Sequence, residues 1–337
     1  TAMLPREMFA RRERRIEVRV AAPVQPVQLQ ACAAEPQARI ALVQRAVVGL
    51  ARGRDPLPVR PTPIRHAPKL RDQLADLHRL DELGRTPDGK RICVGRLDAD
   101  RPLMREIARL LEFSFRAVGE GSGKRHDLDR YDAHYEQLVL WDEARLEVAG
   151  AYRIGRCAPI LAQHGLSGLY TASLFDFSAE LVAQLDGAME LGRSFVQPKY
   201  WSSRSLDYLW LGIGAYLRAH PEVRRLFGPV SISAELSATA RALLVAYYQR
   251  FHGEPRPLAV SRRPFAADAV AAMFDDLDAE AAMRVLRDNL AALGARVPTL
   301  YKQYTELCEP DGARFLAFGT DPDFANAVDG LILVDLD

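Results

Sequence analysis

The fold is decided by the stretch Met189-Glu-Leu-Gly-Arg-Ser-Phe-Val-Gln-Pro198, which continues as Lys199-Tyr-Trp-Ser-Ser-Arg-Ser-Leu-Asp-Tyr-Leu-Trp210. Met189–Val196 predicts a strand, and Ser203–Arg218 predicts a helix rich in Leu, Trp and Tyr. The free N–H groups and the dipole at a helix start favour an anion in the loop between them. Side-chain donors are supplied there by Lys199, Ser202, Ser203, Arg204 and Ser205. The loop therefore predicts a site for a phosphate or a phosphopantetheine chain; the alternative is an ordinary strand–loop–helix connection.

Further strands and helices are predicted on both sides of this stretch. Strands are predicted at Arg91–Leu97, Gln137–Trp141, Leu146–Ile154, Leu226–Ser233, Phe315–Phe318 and Gly330–Val334. Helices are predicted at Arg101–Val118, Ser237–Phe251 and Ala279–Leu293. This order implies an α/β fold, with a mixed sheet that carries helices on its faces.

Three regions differ in composition. Residues 1–52 hold a candidate strand, Arg15–Val20, and a candidate helix, Ala38–Arg52, which together are too small to bury a core. Residues 53–90 are rich in proline and predict a linker with one short helix near Leu70–Leu83. Residues 91–337 then form the main domain.

Charge and cysteine content exclude several classes of protein. Lys and Arg number 45 against 44 Asp and Glu, so no net charge favours nucleic acid or a membrane surface. The four cysteines are far apart and predict neither a zinc site nor a disulfide framework. No apolar run reaches the roughly 20 residues that span a bilayer. We expect a cytoplasmic protein, with peripheral contact at the inner membrane face left open.

Two charged residues interrupt the apolar strand Met189–Val196. Glu190 and Arg193 are three positions apart, which predicts that they face opposite sides of the sheet. Burying them is costly unless each is paired. The two interpretations are a structural ion pair and a substrate-binding carboxylate or general base at Glu190.

Two further acidic segments are candidates. Asp127-Leu-Asp-Arg-Tyr-Asp132 is either a functional cluster or a solvated loop. Asp176 lies between Phe175 and Phe177, where desolvation would raise its pKa unless the side chain faces solvent. Metal and nucleophile motifs such as HExxH, GxSxG and the P-loop are absent from the sequence.

Residues 91–337 resemble the ornithine–acyl carrier protein N-acyltransferase family, often labelled hemolysin-like. The resemblance is carried by Glu190–Pro198, Lys199-Tyr-Trp201 and Arg204–Trp210, with support from Leu226–Ser233, Asp321-Pro-Asp-Phe324 and Val334-Asp-Leu336. It implies a GNAT-like fold, related to acyl-homoserine-lactone synthases. It also implies transfer of a 3-hydroxyacyl chain from acyl carrier protein to the α-amino group of ornithine or a similar amino acid.

The same resemblance suggests which residues bind the amino acid. Its matching features are Phe115-Arg116, Asp129-Arg-Tyr-Asp132, Arg153 and the spacing from Glu190 to Arg193. On this basis we expect the amine substrate to be bound by Asp129, Asp132, Arg153, Glu190 and Arg193. A bidentate arginine, Arg153 or Arg116, would suit its carboxylate.

The extreme N-terminal region has a resemblance of its own. Leu4-Pro-Arg-Glu-Met8 and Arg15-Ile-Glu-Val-Arg19 are similar to the last part of a lysophospholipid O-acyltransferase domain. In some relatives that domain is fused upstream of the N-acyltransferase. We therefore expect residues 1–52 to be the tail of such a domain.

The donor loop departs from many GNAT enzymes. Trp201-Ser-Ser-Arg-Ser205 holds none of the glycines that let a backbone approach a diphosphate closely. A phosphopantetheine arm has a single phosphate, which Arg204 and helix N–H groups could bind. This favours acyl carrier protein over acyl-CoA as co-substrate, and no tightly bound cofactor is expected.

The predicted reaction is aminolysis of an acyl thioester. Glu190 is the first candidate for the base that deprotonates the amine, and Asp176 is the second. Oxyanion donors are expected from the backbone near Phe195 and Val196. We expect Lys199, Ser203, Arg204 and Ser205 to hold the donor. The rival functions are a lactone synthase that uses S-adenosylmethionine and a non-catalytic acyl- or carrier-binding module.

Overall fold

A computed structural model of the chain describes residues 36–51, 62–306, 312–322 and 324–336. The chain divides into two compact units, Thr1–Pro61 and Thr62–Asp337. In the first unit, helix α1 spans Pro36–Ala51, close to the predicted helix Ala38–Arg52. The predicted strand Arg15–Val20 lies outside the described residues.

An eight-stranded sheet forms the centre of the second unit. Its strands are β1 (Asp81–Arg85), β2 (Arg91–Gly95), β3 (Glu136–Asp142), β4 (Glu147–Arg156), β6 (Ala188–Val196), β7 (Arg225–Ile232), β9 (Ala313–Asp321) and β10 (Ala327–Asp335). Their spatial order is β1-β2-β3-β4-β6-β7-β10-β9. A smaller sheet pairs β5 (Phe175–Phe177) with β8 (Ala259–Ser261).

Helices cover both faces of the large sheet. They are α2 (Leu70–Leu77), α3 (Pro102–Arg116), α4 (Cys157–His164), α5 (Ala179–Gln184), α6 (Ser205–Ala219), α7 (Ala238–His252), α8 (Asp268–Ala271), α9 (Ala279–Ala292) and α10 (Thr299–Glu306). The core of one face includes α6, α7, α9 and α10, and that of the other includes α2 and α3 beside β2–β4. Helix α7 begins where predicted, because the Ser237 side chain accepts the N–H of Ala240 at 3.2 Å. No helix of the described part of the chain is both long and apolar enough to cross a bilayer.

Strands β6 and β7 separate soon after they meet. They are the parallel neighbours in the large sheet, and their pairing covers Ala188–Glu190 against Arg225–Phe227. Beyond those residues, β6 continues to pair with β4 on its other side as far as Val196. The carboxyl halves of β6 and β7 therefore border a gap, and each strand leads from the gap towards a helix start, α6 or α7.

A β-bulge lies where β6 borders this gap. Arg153 on β4 pairs with Gly192 and Ala151 pairs with Phe195, so two residues of β6, Arg193 and Ser194, lie opposite one residue of β4. Arg193 adopts a φ of +48°, a left-handed conformation that is unfavourable for a side chain larger than that of glycine. Such bulges bend a strand and redirect side chains, and they are common next to active sites.

The sheet begins further upstream than the predicted domain boundary at residue 91. Helix α2 lies within the short helix predicted near Leu70–Leu83, whereas strand β1 was not predicted in the region 53–90 and pairs with β2. Proline is indeed frequent before residue 69, but the polar segment Asp81–Arg85 forms an edge strand that the hydrophobic pattern does not indicate.

Candidate active site

A cavity of about 190 Å³ lies at the gap between β6 and β7. Its walls come from β4, β6, β7, β9, β10, α10, the loop after α3 and the segment before β5. The polar and charged residues in these walls are Glu120, Asp127, Tyr152, Tyr170, Arg193, Ser194, Ser231, Tyr304, Asp321 and Asp329. Four of these residues carry carboxylates, so the cavity suits a cationic ligand better than an anionic one.

Like Asp321, which is 1% exposed, Asp329 is a deeply buried acid of this cavity, at 2% exposure. It lies on β10 opposite Ser231 of β7, and the Ser231 hydroxyl donates to Oδ1 of Asp329 at 2.6 Å. Burial and the nearby Asp321 carboxylate raise the pKa of Asp329 to about 7, although the Ser231 hydrogen bond acts against them. A carboxylate with that pKa can exchange a proton near neutral pH.

Glu190 lies behind the cavity and does not line it. The residue is 2% exposed, and its carboxylate accepts the Tyr135 hydroxyl, the Thr171 N–H at 2.7 Å and the Tyr170 N–H at 3.2 Å. Burial raises its pKa, and the hydrogen bond from Tyr135 opposes this. In turn the Tyr170 hydroxyl donates to Asp321 at 2.8 Å in the cavity wall. Glu190 is therefore placed to position Tyr170, rather than to touch a ligand in this cavity.

A buried ionic network lies beside Glu190. The Arg153 guanidinium is 1% exposed and contacts Asp129 at 2.7 Å and Asp132 at 3.0 Å. Asp129 also accepts from Arg193 at 2.9 Å, and Arg193 contacts Asp127 at 2.8 Å. Burial alone would raise the pKa of Asp129, but the two guanidinium groups outweigh it and keep that pKa low. The structure thus brings together four residues that the sequence predicts for amino-acid binding: Asp129, Asp132, Arg153 and Arg193.

Within that network, Arg193 is the predicted residue that reaches the cavity wall. The prediction that Glu190 and Arg193 face opposite sides of the sheet is wrong. Arg193 shares the Asp129 carboxylate with Arg153, and Tyr135, which donates to Glu190, lies with its ring centre 5.0 Å from the Arg153 guanidinium, so both side chains lie on the Arg153 side of the sheet. The bulge at Arg193 explains the difference, since an extra residue reverses the alternation of the strand.

Two predicted residues lie elsewhere. The Arg116 guanidinium contacts Glu112 and the carbonyl of Lys124, and it does not line the cavity. Asp176 on β5 has a 69% exposed side chain that contacts Arg262 at 2.9 Å. Of the two interpretations of Asp176, the structure has the one in which the aspartate faces solvent while Phe175 beside it is buried.

The strand disruption expected near Phe195 and Val196 lies two residues earlier. Phe195 and Val196 pair regularly with Ala151 and Gly150, and the Phe195 side chain is buried. The bulge residues Arg193 and Ser194 line the cavity instead. Backbone N–H groups that do not take part in regular strand pairing, and could serve as oxyanion donors, are therefore expected at the bulge.

The predicted donor loop lies at the carboxyl end of β6. Lys199 pairs with Glu147, and Ser203 bonds to the Tyr200 carbonyl at 2.7 Å and to Ser205 at 2.8 Å. Arg204 directly precedes α6 and has a 71% exposed side chain, 3.4 Å from Asp207. Exposed cationic groups and a helix start are present here, although acidic partners accompany them.

Comparison with known proteins places this arrangement in a family. Residues 110–211, from α3 through the bulge into α6, match the acetyltransferase (GNAT) domain family. The chain is 31% identical over 221 residues to a glycine N(alpha)-acyltransferase of Phocaeicola vulgatus, covering 61% of this chain and 68% of that enzyme. The chain belongs to the glycine and ornithine N(alpha)-acyltransferase family. It is an acyltransferase that acts on an amino group, as the sequence predicts.

Other relatives of this chain match over shorter spans. An L-ornithine N(alpha)-acyltransferase of Agrobacterium fabrum is 35% identical over 116 residues, 32% of this chain and 38% of that enzyme. Among solved structures, an aminoglycoside 6'-N-acetyltransferase complexed with coenzyme A is 9% identical, with a TM-score of 0.35, over 72% of this chain and 97% of that one. The acyl-homoserine lactone synthase MesI is 12% identical, with a TM-score of 0.28, over 63% and 68%. The GNAT domain match and the mixed sheet confirm the predicted fold class.

Asp329 and Ser231 were not predicted from the sequence as candidate site residues. The predicted strand began at Gly330, one residue after Asp329, so the aspartate was left out of the sheet. A signal was present, because Ala327-Val-Asp-Gly-Leu-Ile-Leu-Val334 holds one acid within an otherwise apolar run. A lone acid inside a buried strand is costly and is often functional.

Proposed function

We propose that the unit of residues 62–337 transfers a 3-hydroxyacyl or similar acyl chain from a thioester to the α-amino group of ornithine or a similar amino acid. The product would be the acylated amino acid that begins aminolipid synthesis. The observation that carries this proposal is the gap between β6 and β7, which opens on a cavity lined by four carboxylates and one bulged strand. An extended acyl thioester can enter between two strands that have separated, and an amine is attracted by the acids.

The acceptor is inferred from the charges of the cavity. Among the described residues that line it, Arg193 supplies the basic group, against Glu120, Asp127, Asp321 and Asp329. A free amino acid brings a carboxylate for Arg193 and an ammonium for the acids. Ornithine brings a second ammonium, so this charge balance favours ornithine over glycine. Asp129, Asp132 and Arg153 then hold Arg193 in place.

The donor is inferred from the loop before α6. The phosphate of a phosphopantetheine arm would lie near the helix start, where Arg204, Lys199, Ser203 and Ser205 are close in sequence. The arm would run along β6 past Val196 and Phe195, and its carbonyl would meet N–H groups of the bulge. Acyl carrier protein is our preferred donor and protein partner, which places the reaction in the cytoplasm; acyl-CoA is the alternative.

The direct test is product analysis. The protein is incubated with 3-hydroxyacyl carrier protein, or with the matching acyl-CoA, and a panel that contains ornithine, lysine, glycine and S-adenosylmethionine. Mass spectrometry should find an N-acylated amino acid, formed faster with ornithine than with glycine. A lactone formed from S-adenosylmethionine would support the rival synthase. Tight donor binding with no product would support a non-catalytic module.

A variant tests whether the donor phosphate binds at the start of α6. Arg204→Ala should raise KM for the acyl carrier protein several-fold while kcat changes little, because the proposed role of this exposed guanidinium is to bind the donor phosphate or the carrier surface, away from the reacting atoms. The matched control is Arg284→Ala, an exposed arginine on α9 that pairs with Glu280 in the same chain. If both variants behave like the wild type, the donor phosphate does not lie at the start of α6.

A further inference from the structure

One acid of the cavity is placed for a role beyond attraction of the amine. Asp329 projects from the interior of β10, between β7 and β9, where an apolar side chain would be expected. Its neighbours along the same face, Leu331 and Leu333, are fully buried core residues. A carboxylate kept at such a position, at the wall of the cavity, calls for a chemical reason.

We propose that the Asp329 carboxylate is the general base of the acyl transfer and that the Ser231 hydroxyl orients it towards the amine. This inference deepens the proposed function and rests on it. The Ser231 hydroxyl donates to Oδ1 at 2.6 Å and so fixes the carboxylate, and Asp329 is one of the residues that line the cavity. Both residues lie on strands that border or adjoin the gap, so the amine and the thioester would meet beside them.

The other acids are less well placed. Glu190 is enclosed by three donors and lies behind Tyr170. Asp321 accepts the Tyr170 hydroxyl, and Glu120 interacts with Ser233 at the far end of β7. Asp127 is paired with Arg193. Asp329 has an uncharged hydrogen-bond donor as its partner, so it keeps the basicity that a guanidinium would remove.

Several titratable or charged groups act on Asp329 and set the pH at which it works. From the elements packed around it these are Asp321 on β9, Glu120 after α3, Tyr170 before β5 and Tyr301 on α10. Asp127 and Arg193 line the same cavity. Burial and the acids raise the pKa of Asp329 to about 7. A base of that pKa is largely ionised just above neutrality and still strong enough to accept a proton from an ammonium.

The proposed step balances as follows. Asp329 accepts one proton from the acceptor's ammonium, and the nitrogen lone pair forms a C–N bond with the thioester carbonyl carbon. The carbonyl oxygen carries negative charge until the C–S bond breaks and its electron pair leaves on sulfur. The second proton of the nitrogen ends on that sulfur, which gives an amide and a free thiol. Asp329 then releases its proton to solvent.

Asp329→Asn tests the base directly, since asparagine keeps an oxygen that can accept from Ser231. At pH 7 its kcat/KM for the acceptor should fall at least about 100-fold, the usual contribution of a general base, with little change in KM for the donor. The loss should shrink at a pH above the pKa of the acceptor amine, where the amine is already neutral. Asp186→Asn, a change at an exposed acid, serves as the control and should behave like the wild type.

Ser231→Ala tests the proposal a second way and does not depend on removing the acid. The wild-type rate should rise with pH through about 7, as Asp329 ionises. Loss of the Ser231 hydrogen bond removes a group that lowers the pKa of Asp329, so this rising limb should move to higher pH. If Ser231 has a purely structural role, Ser231→Ala should lower the stability of the protein without shifting the pH at which the rate rises.

The outcomes separate the two proposals. A wild-type protein that makes amide, together with an Asp329→Asn variant active within about threefold at every pH, overturns the base and leaves the proposed function standing. A rising limb that Ser231→Ala does not move also overturns it. A wild-type protein that makes no amide from any donor and acceptor overturns both.

Discussion

Gly228 of β7 touches the backbone of Leu191 on β6 so closely that a methyl group on Gly228 would lie 2.2 Å from the Leu191 carbonyl oxygen. This contact lies one position beyond the last paired residues, Glu190 and Phe227, where the two strands begin to separate. Only glycine permits the contact, because any Cβ would meet main-chain atoms that cannot rotate away. The glycine therefore sets how closely β6 and β7 approach each other at the point where their pairing ends.

Gly228→Ala should force β6 and β7 apart and misplace the bulge. We expect the melting temperature to fall by several degrees and acyl transfer to fall by more than tenfold. Gly214→Ala in α6 is the matched control, since its Cβ would meet no atom within 4 Å and alanine favours a helix by about 0.5–1 kcal/mol. Equal stability of the two variants would show that the strands can give way at this point.

Glu190→Gln should act mainly through structure. One carboxylate oxygen becomes an NH2 group that faces N–H or O–H donors, so we expect a loss of about 1–3 kcal/mol in the free energy of unfolding. Activity should fall with it, because Tyr170 loses its anchor. Denaturant titration and steady-state rates measure the two effects. An inactive variant that is as stable as the wild type would instead make Glu190 the chemical base.

Asp129→Asn should be among the most damaging single changes in the network. The substitution removes negative charge that compensates the buried Arg153 guanidinium, and it also removes an ionic contact of Arg193. We expect the free energy of unfolding to fall by about 3–5 kcal/mol. Because the pKa of Asp129 is lowered in the folded state, its contribution is present above the unfolded-state pKa of about 4 and is lost as the pH falls through the lower folded-state value. Unfolding curves at pH 7 and pH 3 should therefore differ less for the variant than for the wild type.

Asp329→Asn should raise stability at high pH while it lowers activity. The folded-state pKa of about 7 exceeds the unfolded-state value, so the wild type loses stability as the pH rises from about 4 through 7. Asparagine cannot ionise, and the variant should be more stable above pH 7, by at most about 4 kcal/mol at 1.4 kcal/mol per pKa unit. Below pH 4 the two proteins should unfold alike. A variant that is less stable at pH 8 would contradict a buried, ionised Asp329.

Long amphipathic or apolar segments were predictable from the sequence. Strand β6, helix α6 and helix α7 begin and end within two residues of the predicted limits, because periodicity and the Ser237 cap are local signals. Strand β1 was missed, since Asp81–Arg85 is short, polar and held mainly by pairing with β2. That pairing is a tertiary effect, which no local pattern reports.

The candidate site was predictable only in part. Family resemblance indicated Asp129, Asp132, Arg153 and Arg193, which the structure brings together. It did not indicate which of them meets the cavity, because the bulge that turns Arg193 towards it is a matter of strand register. Asp329 and Ser231 come from distant parts of the chain and become neighbours through the β7–β10 pairing. Their relation exists only in the folded sheet.

The gap between β6 and β7 is bordered by side chains of both sheet faces: Tyr152, Leu191 and Tyr304 belong to one hydrophobic core, while Tyr170 and Asp329 lie on the other side. A gap of this kind between two strands is open to ligands from both faces of the sheet. A thioester and an amine can occupy it together, each held by its own wall, and neither has to depart before the other arrives. The acyl group would then pass directly from sulfur to nitrogen, with no covalent stop on the protein in between.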